Sequence, residues 1–413
     1  MIKVYTLNNG LKLAVKSMDG LLSVTMGVLV GAGAAYETDE EDGISHYIEH
    51  MQFKGTTKRN AREISDAFDA IGAQVNAFTG QDMTCYYSKA TSAHAAEAFE
   101  ILSDLFLNAT FPEEEAVREK GVIVEEIAMN EDTPEDLCLD LLSNALYGEK
   151  GYGRNILGTA KNVRGFTKEA VDKYKAEFYR PENIVVCFAG AISFEEAKAL
   201  TEQYFGGLEG GKFTRREKPI LLRQASLYKG KKIEQAHIAV GYPSVTRRDK
   251  DVEAIQIMNT VIGSGMSSRL FQQVREKLGL AYSVYSYGSF YAECGNFTVY
   301  AGVNPKNIQK AYAAIIDTLE EAKKDGISAA EFSRAREQVR SGGIFAQEST
   351  SSQMLWYGRQ LLHDGEVYDF EERERRYDAV TLDDVMRVLQ NTFVEDKRSA
   401  AIVGNVRKAL PLD

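Results

Sequence analysis

Gly206-Gly-Leu-Glu-Gly-Gly-Lys-Phe-Thr-Arg-Arg-Glu-Lys218 falls close to the middle of this 413-residue chain. Glycine and charge without apolar periodicity mark an exposed linker. On either side of it the predicted elements recur in the same order. On the N-terminal side an apolar strand (Leu22–Val30) leads into a helix (Ile44–Phe53). Two strand-like runs (Gln74–Thr79, Thr84–Ala90), an amphipathic helix (Ala93–Phe106) and a further helix (Glu113–Met129) follow. On the C-terminal side a strand (His237–Tyr242) leads through helices (Val252–Val261, Ser268–Lys277) to two strand-like runs (Leu280–Tyr287, Gly295–Val303). Helices over Ile308–Lys323 and Ala329–Val339 come next. Strands interleaved with helices and containing hairpins predict an α+β fold. The repetition predicts two homologous sandwiches, each a sheet covered by helices, from an internal duplication. The expected domains are 1–205 and 221–413, joined by a linker over 206–220.

Composition narrows the class. Hydrophobic residues at 44% and charged residues at 26% exclude a disordered or collagen-like chain. No apolar run reaches the roughly 18 residues a membrane helix needs, so no membrane role is expected. The opening MIKVYTLNNGLKLAV lacks a signal-peptide core and predicts a strand, a turn at Asn8-Asn9-Gly10 and a second strand. With 49 Lys+Arg against 60 Asp+Glu the formal charge is −11, which argues against a nucleic-acid partner. Cys85, Cys138, Cys187 and Cys294 lie far apart with no CxxC pair, and read as buried small side chains in a reducing compartment, the cytoplasm.

Two of the five histidines sit in His46-Tyr47-Ile48-Glu49-His50, an HxxEH pattern. Residues four apart on a helix lie one above the other, so both imidazoles can reach one ion. Glu49 falls about 60° to the other side of His46, close enough to touch a metal-bound water without being forced into ligation. Inverted HxxEH is a zinc-protease pattern. The plainer alternative is two helix histidines bonding locally.

Two imidazoles leave a catalytic zinc site one ligand short, and a carboxylate commonly completes it. Glu119-Lys-Gly-Val-Ile-Val-Glu125-Glu126 offers candidates. Residues seven apart are nearly eclipsed on a helix, so Glu119 and Glu126 share a face with Val122, Ile123 and Met129, which marks it as the buried side. Two carboxylates there are costly unless a cation or donors satisfy them. Glu125, about 100° away, can stay in water. Glu126 is the expected ligand and Glu119 its supporting neighbour.

HYIEHMQFKGT (His46–Thr56), with EKGVIVEE some seventy residues later, resembles the pitrilysin family of inverted-motif zinc peptidases, and within it the mitochondrial-processing-peptidase branch and its short bacterial relatives. The likeness covers nearly the whole chain. It implies one Zn2+ per chain on His46, His50 and Glu126, with Glu49 as general base. Gln52 departs from the apolar residue that relatives often carry.

Two further stretches match family patterns. Asn76-Ala77-Phe78-Thr79 reads by itself as a polar-rich strand at a sheet edge. The resemblance makes it the edge that receives the substrate peptide as an added strand, with Asn76 and Phe78 flanking the scissile bond. Gly263-Ser-Gly-Met-Ser-Ser-Arg, then Arg275 and Tyr282, lacks the lysine of a phosphate loop and reads by itself as a turn into a helix. The resemblance has Arg275 and Tyr282 bond the substrate carbonyl. The second half has no HxxEH and is expected to be a degenerate copy supplying binding surface. His94, His237 and His363 are isolated and read as structural or exposed, and Trp356 as core.

The resemblance thus implies a zinc endopeptidase acting on peptides or unfolded segments. A complete peptidase of this family encloses a chamber with four such domains. One chain supplies two, which implies a homodimer or pairing with a related second chain. Arg275 and Tyr282 then serve either their own chain's metal or the partner's. The competing class is a non-catalytic binding or scaffolding subunit, whose kind loses the ligands or the base.

Overall fold

The computed structural model of the chain describes residues 2–211, 213–218 and 220–412. One sheet is built by β1 (Ile2–Thr6), β2 (Lys12–Ser17), β3 (Ser23–Val30), β4 (Gln74–Thr79), β5 (Thr84–Thr91) and β6 (Ile184–Gly190), in the order β1-β2-β6-β3-β5-β4. The other is built by β7 (Ser226–Gly230), β8 (Ala236–Ser244), β9 (Ala281–Phe290), β10 (Gly295–Val303) and β11 (Ser399–Gly404), in the order β7-β11-β8-β10-β9. The β2–β6 and β7–β11 pairs are parallel and the other named pairs antiparallel. Without β1, the first order matches the second strand for strand, with the parallel pair in the same place. The α+β fold is thus used twice, as the repeated element order predicts. The interior strands β6 (IVVCFAG) and β11 (SAAIVG) are buried along their whole length. They carry no polar–apolar alternation, and sequence periodicity does not single them out.

The chain divides into two compact units, and neither is a continuous half. One consists of Met1–Ile127, Asn155–Lys218 and Phe345–Asp369; the other of Ala128–Arg154, Pro219–Ile344 and Phe370–Asp413. These units differ from 1–205 and 221–413 by one exchanged segment in each direction. In the first unit the helix Thr350–Asp364 sets Met354, Tyr357 and Leu361 against Leu29, Val185 and Cys187 of the sheet. Gly27 of β3 admits it, because a Cβ there would meet Met354 Sδ at 2.5 Å. In the second unit the helix Pro134–Tyr147 lies on β8 and β11. Gly241 of β8 admits it, because a Cβ there would meet Leu146 Cδ1 at 2.8 Å. β3 and β8 are equivalent strands, so the duplicated fold repeats the same close approach.

On the opposite face of the first sheet, Val24, Met26 and Val28 pack against Ile48 and Met51 of the helix Ile44–Gln52, and against Phe99 and Leu102 of the helix Ala95–Leu107. The expected linker departs from its reading at its C-terminal part. Lys218 is buried, with its Nζ donating to Tyr36 Oη at 3.1 Å. Positions 212 and 219 of that segment lie outside the described residues. All four cysteines are buried and none forms a disulfide. His237 is buried against Tyr300 Oη, His363 beside Asp82, and Trp356 packs half-buried against Tyr357. Among the described residues, no helix is long and apolar enough to cross a membrane.

Candidate metal centre

The HxxEH segment occupies the middle of the helix Ile44–Gln52. Its apolar residues Ile44, Ile48 and Met51 bury one stripe in the core, which turns the histidines toward the neighbouring helix Glu113–Asp132. The imidazole centroids of His46 and His50 are 4.5 Å apart. Glu126 meets both: its Oε2 lies 3.7 Å from His46 Nε2 and 3.3 Å from His50 Nε2. The ligating atoms of the three residues all lie within 4.8 Å of one another.

Glu119 stands behind His50. Its Oε1 is 2.8 Å from His50 Nδ1 and its Oε2 is 2.6 Å from Lys54 Nζ. A carboxylate on Nδ1 fixes the tautomer that leaves Nε2 free to ligate. His46 Nδ1 is buried without a hydrogen-bond partner, so no hydrogen bond holds that ring from behind. Two Nε2 atoms and a carboxylate oxygen converging from two helices, one ring pinned from behind, fit a three-ligand zinc site.

The charges follow from burial and pairing. Burial pushes the His46 imidazole down to about 4, with His50 adding to the fall and Glu126 opposing it. Burial also disfavours the charged form of His50, but the carboxylates of Glu119 and Glu126 outweigh it and raise that group to about 9. Burial works to raise Glu119, yet its His50 and Lys54 donors bring it below the usual carboxylate range. Glu126 is lowered as well, chiefly by its hydrogen bond with His50. Without a metal, His50 therefore carries the site's proton, and metal binding must expel it.

Glu49 is held apart from the ligands. Its carboxylate accepts a hydrogen bond from Thr79 Oγ1 of β4. Burial, with a smaller contribution from Glu126, raises it above the usual carboxylate range, while Thr79 and His50 oppose the rise. β4 is the edge strand, and among the described residues it pairs only with β5. Val75 and Ala77 pack toward the face that carries the metal helix, whereas Phe78 packs on the other face beside Tyr87. Asn76 is exposed.

Arg275 and Tyr282 lie in the second unit and meet each other. The Arg275 guanidinium sits 5.2 Å from the Tyr282 ring and 4.7 Å from that of Phe271. Tyr282 is 78% exposed. Arg275 is carried on a π-helical stretch, Phe271–Lys277, where the sequence predicts an ordinary helix; such stretches are rare.

The buried face of the helix Glu113–Asp132 is narrower than its phase predicts. Val122 and Met129, expected on the buried side, are 52% and 69% exposed. The helix buries a narrower stripe of Glu119 and Ile123, flanked by Ala116 and Ile127, and Glu126 stands at its margin. Gln52 is fully buried. Its Nε2 donates to Phe106 O at 3.2 Å and its Oε1 accepts from Lys175 Nζ at 3.3 Å, away from the ligands.

Sequence reasoning missed Lys54 and Glu37. Lys54 lies four residues after His50 in the same motif segment, and that spacing was the available signal. Glu37 is buried and accepts from Gly43 N and Ser45 N, both at 2.8 Å, at the start of the metal helix. Burial pushes its carboxyl up to about 7 in spite of those two donors. No local pattern marks it.

Residues 13–160 match the model of a family described as Insulinase (Peptidase family M16), and residues 165–339 match one described as Peptidase M16 inactive domain. Over 403 residues the chain is 40% identical to a Bacillus subtilis protein named uncharacterized zinc protease YmxG, covering 97% of this chain and 98% of that one. A Streptomyces coelicolor protein named uncharacterized zinc protease SCO5738 is 35% identical over 416 residues, covering 97% and 89%. Among solved structures, a protease from Helicobacter pylori superposes with a TM-score of 0.91 at 22% identity, covering 98% of this chain and 99% of that one. At that identity the likeness concerns the fold alone.

Proposed function

Because the chain belongs to the M16 family of peptidases, of the short bacterial type, we propose that it is a zinc-dependent endopeptidase acting on peptides and unfolded segments. The observation that carries this reading is the convergence of His46, His50 and Glu126, with Glu49 beside them but not among them. A zinc ion held by His46, His50 and Glu126 would polarise the scissile carbonyl and acidify water at that point.

The protein's own groups have distinct tasks in this reading. Glu49 takes the proton of the attacking water and returns it to the leaving amine. Burial and its raised proton affinity suit a base that must also act as an acid. Thr79 aims that carboxylate from the strand that receives the substrate. The free edge of β4, over Asn76–Thr79, holds the peptide through backbone hydrogen bonds, which demand no particular sequence. Arg275 and Tyr282, of this chain or of the second chain, donate to the substrate carbonyl as negative charge develops. Glu119 keeps His50 in its ligating tautomer. The reading includes one Zn2+ per chain, a cytoplasmic location, and a second chain, identical or related, to complete a peptide-sized chamber.

The test is cleavage of a quenched fluorescent peptide library by wild type and Glu49→Gln, with metal content measured on both. Zinc in both and cleavage by wild type alone is expected. A preserved rate in Glu49→Gln refutes its role as the base. Zinc in both with cleavage by neither favours the binding-subunit reading.

A further inference from the structure

The segment between the halves ends on the loop that enters the metal helix. Arg216 donates through every N–H of its guanidinium. Nε and Nη2 bond the Glu177 carboxylate at 2.9 and 2.6 Å, Nη1 bonds Tyr36 O at 2.9 Å, and Nη1 and Nη2 both bond the Glu41 carboxylate, the latter at 3.3 Å. All five donors are satisfied in a fixed fork, an arrangement no lysine can reproduce. The guanidinium also lies 5.0 Å from the Phe178 ring, and Lys218 covers the Tyr36 ring at 4.3 Å.

What Arg216 grips is the approach to the histidines. Glu41 accepts from Thr38 N through its side chain and from Ile44 N, the first residue of the metal helix, through its carbonyl. Tyr36 is followed by Glu37, which holds Gly43 N and Ser45 N. The helix has Gly43 as its N-cap and no local side-chain cap, so its first N–H groups depend on these upstream carboxylates and carbonyls. Ser45 immediately precedes His46, whose ring has no hydrogen bond at Nδ1 to orient it. The direction of the His46 ring therefore rests on the placement of this helix end.

We propose that Arg216, acting through Glu41 and Glu37, is a positioning residue for the metal site, so that the segment joining the two halves seats the helix that carries His46 and His50. The proposal rests on the metal-site reading above. It makes the end of the first unit's Asn155–Lys218 segment part of the metal centre's support.

The test titrates zinc into metal-free wild type and Arg216→Gln against a competing chelator, and records the cobalt(II) absorption spectrum of both. Groups that bond a metal ligand directly are worth roughly 10–100-fold in affinity; Arg216 acts one step further out, so Arg216→Gln is expected to weaken zinc by at most about 10-fold and to shift the cobalt spectrum. Arg216→Lys is expected to recover only part of the loss. Should Arg216→Gln fail to fold, Glu37→Asp carries the same expectation. It leaves the Arg216 contacts whole and draws the carboxylate back by one methylene. Wild-type zinc affinity and an unchanged cobalt spectrum in these variants overturn the proposal and leave the metal reading intact. Absence of zinc binding by wild type overturns both.

Discussion

Replacing Glu119 by Gln tests the support of the metal site without touching a ligand. The substitution keeps the shape of the side chain but removes the charge, and one carbonyl oxygen cannot replace two carboxylate oxygens facing His50 at 2.8 Å and Lys54 at 2.6 Å. Loss of such an outer partner costs roughly 10–100-fold in metal affinity, or about 1.4–2.7 kcal/mol. A proton effect opposes it. In wild type, Glu119 and Glu126 hold His50 protonated up to about pH 9, so at pH 7 zinc must displace that proton, at about a factor of ten per pH unit. Without the Glu119 charge the His50 proton leaves at lower pH, and the variant faces a smaller penalty there. Wild-type apparent zinc affinity should therefore climb with pH up to about 9 and then level, whereas the variant levels earlier. Chelator competition at pH 6.5, 7.5 and 9 should find the deficit of the variant largest at pH 9. Equal affinities at pH 9, or a deficit that shrinks with rising pH, would refute the reasoning.

The remaining predictions concern other parts of the molecule. Gly43 has φ +93°, and a Cβ there would meet Leu157 O at 2.7 Å; Gly43→Ala should lower stability by about 1–3 kcal/mol in urea unfolding and weaken zinc binding. Leu361→Ala, in the helix that covers the back of the first sheet, should cost about 2–5 kcal/mol in the same assay, and a loss under 1 kcal/mol would contradict its burial. Glu331, bonded by Arg269, is lowered from 4.5 to about 2. Its folded-state value is below its unfolded one, so the stability it adds is present above about pH 4.5 and is lost as pH falls toward 2. Acid titration followed by circular dichroism should show Glu331→Gln losing less stability than wild type across that window.

The candidate ligands were legible because the signals that carry them are local. HxxEH is one helix turn, and the step from Glu119 to Glu126 is two; helical phase alone brings each set onto one side. Even there the sequence overstated the buried face. A helix packed against one neighbour buries a stripe, and Val122 and Met129 fall outside it. The role of Thr79 toward Glu49 was not legible, since it depends on which face of β4 meets the metal helix.

Taken alone, the sequence determined the α+β class and the duplication and singled out the residues of the candidate site, because periodicity and short motifs are properties of neighbouring residues. Tertiary structure decided what joins distant ones. It placed Thr350–Asp364 on the first sheet and Pro134–Tyr147 on the second, under the small residues Gly27 and Gly241. It set Arg216 against the entrance of the helix Ile44–Gln52, on Glu41 175 positions away in the chain. A glycine-rich, charged run looks the same in sequence whether it floats or grips. Only the position of the carboxylates it meets, fixed by the packing of the whole unit, distinguishes the two.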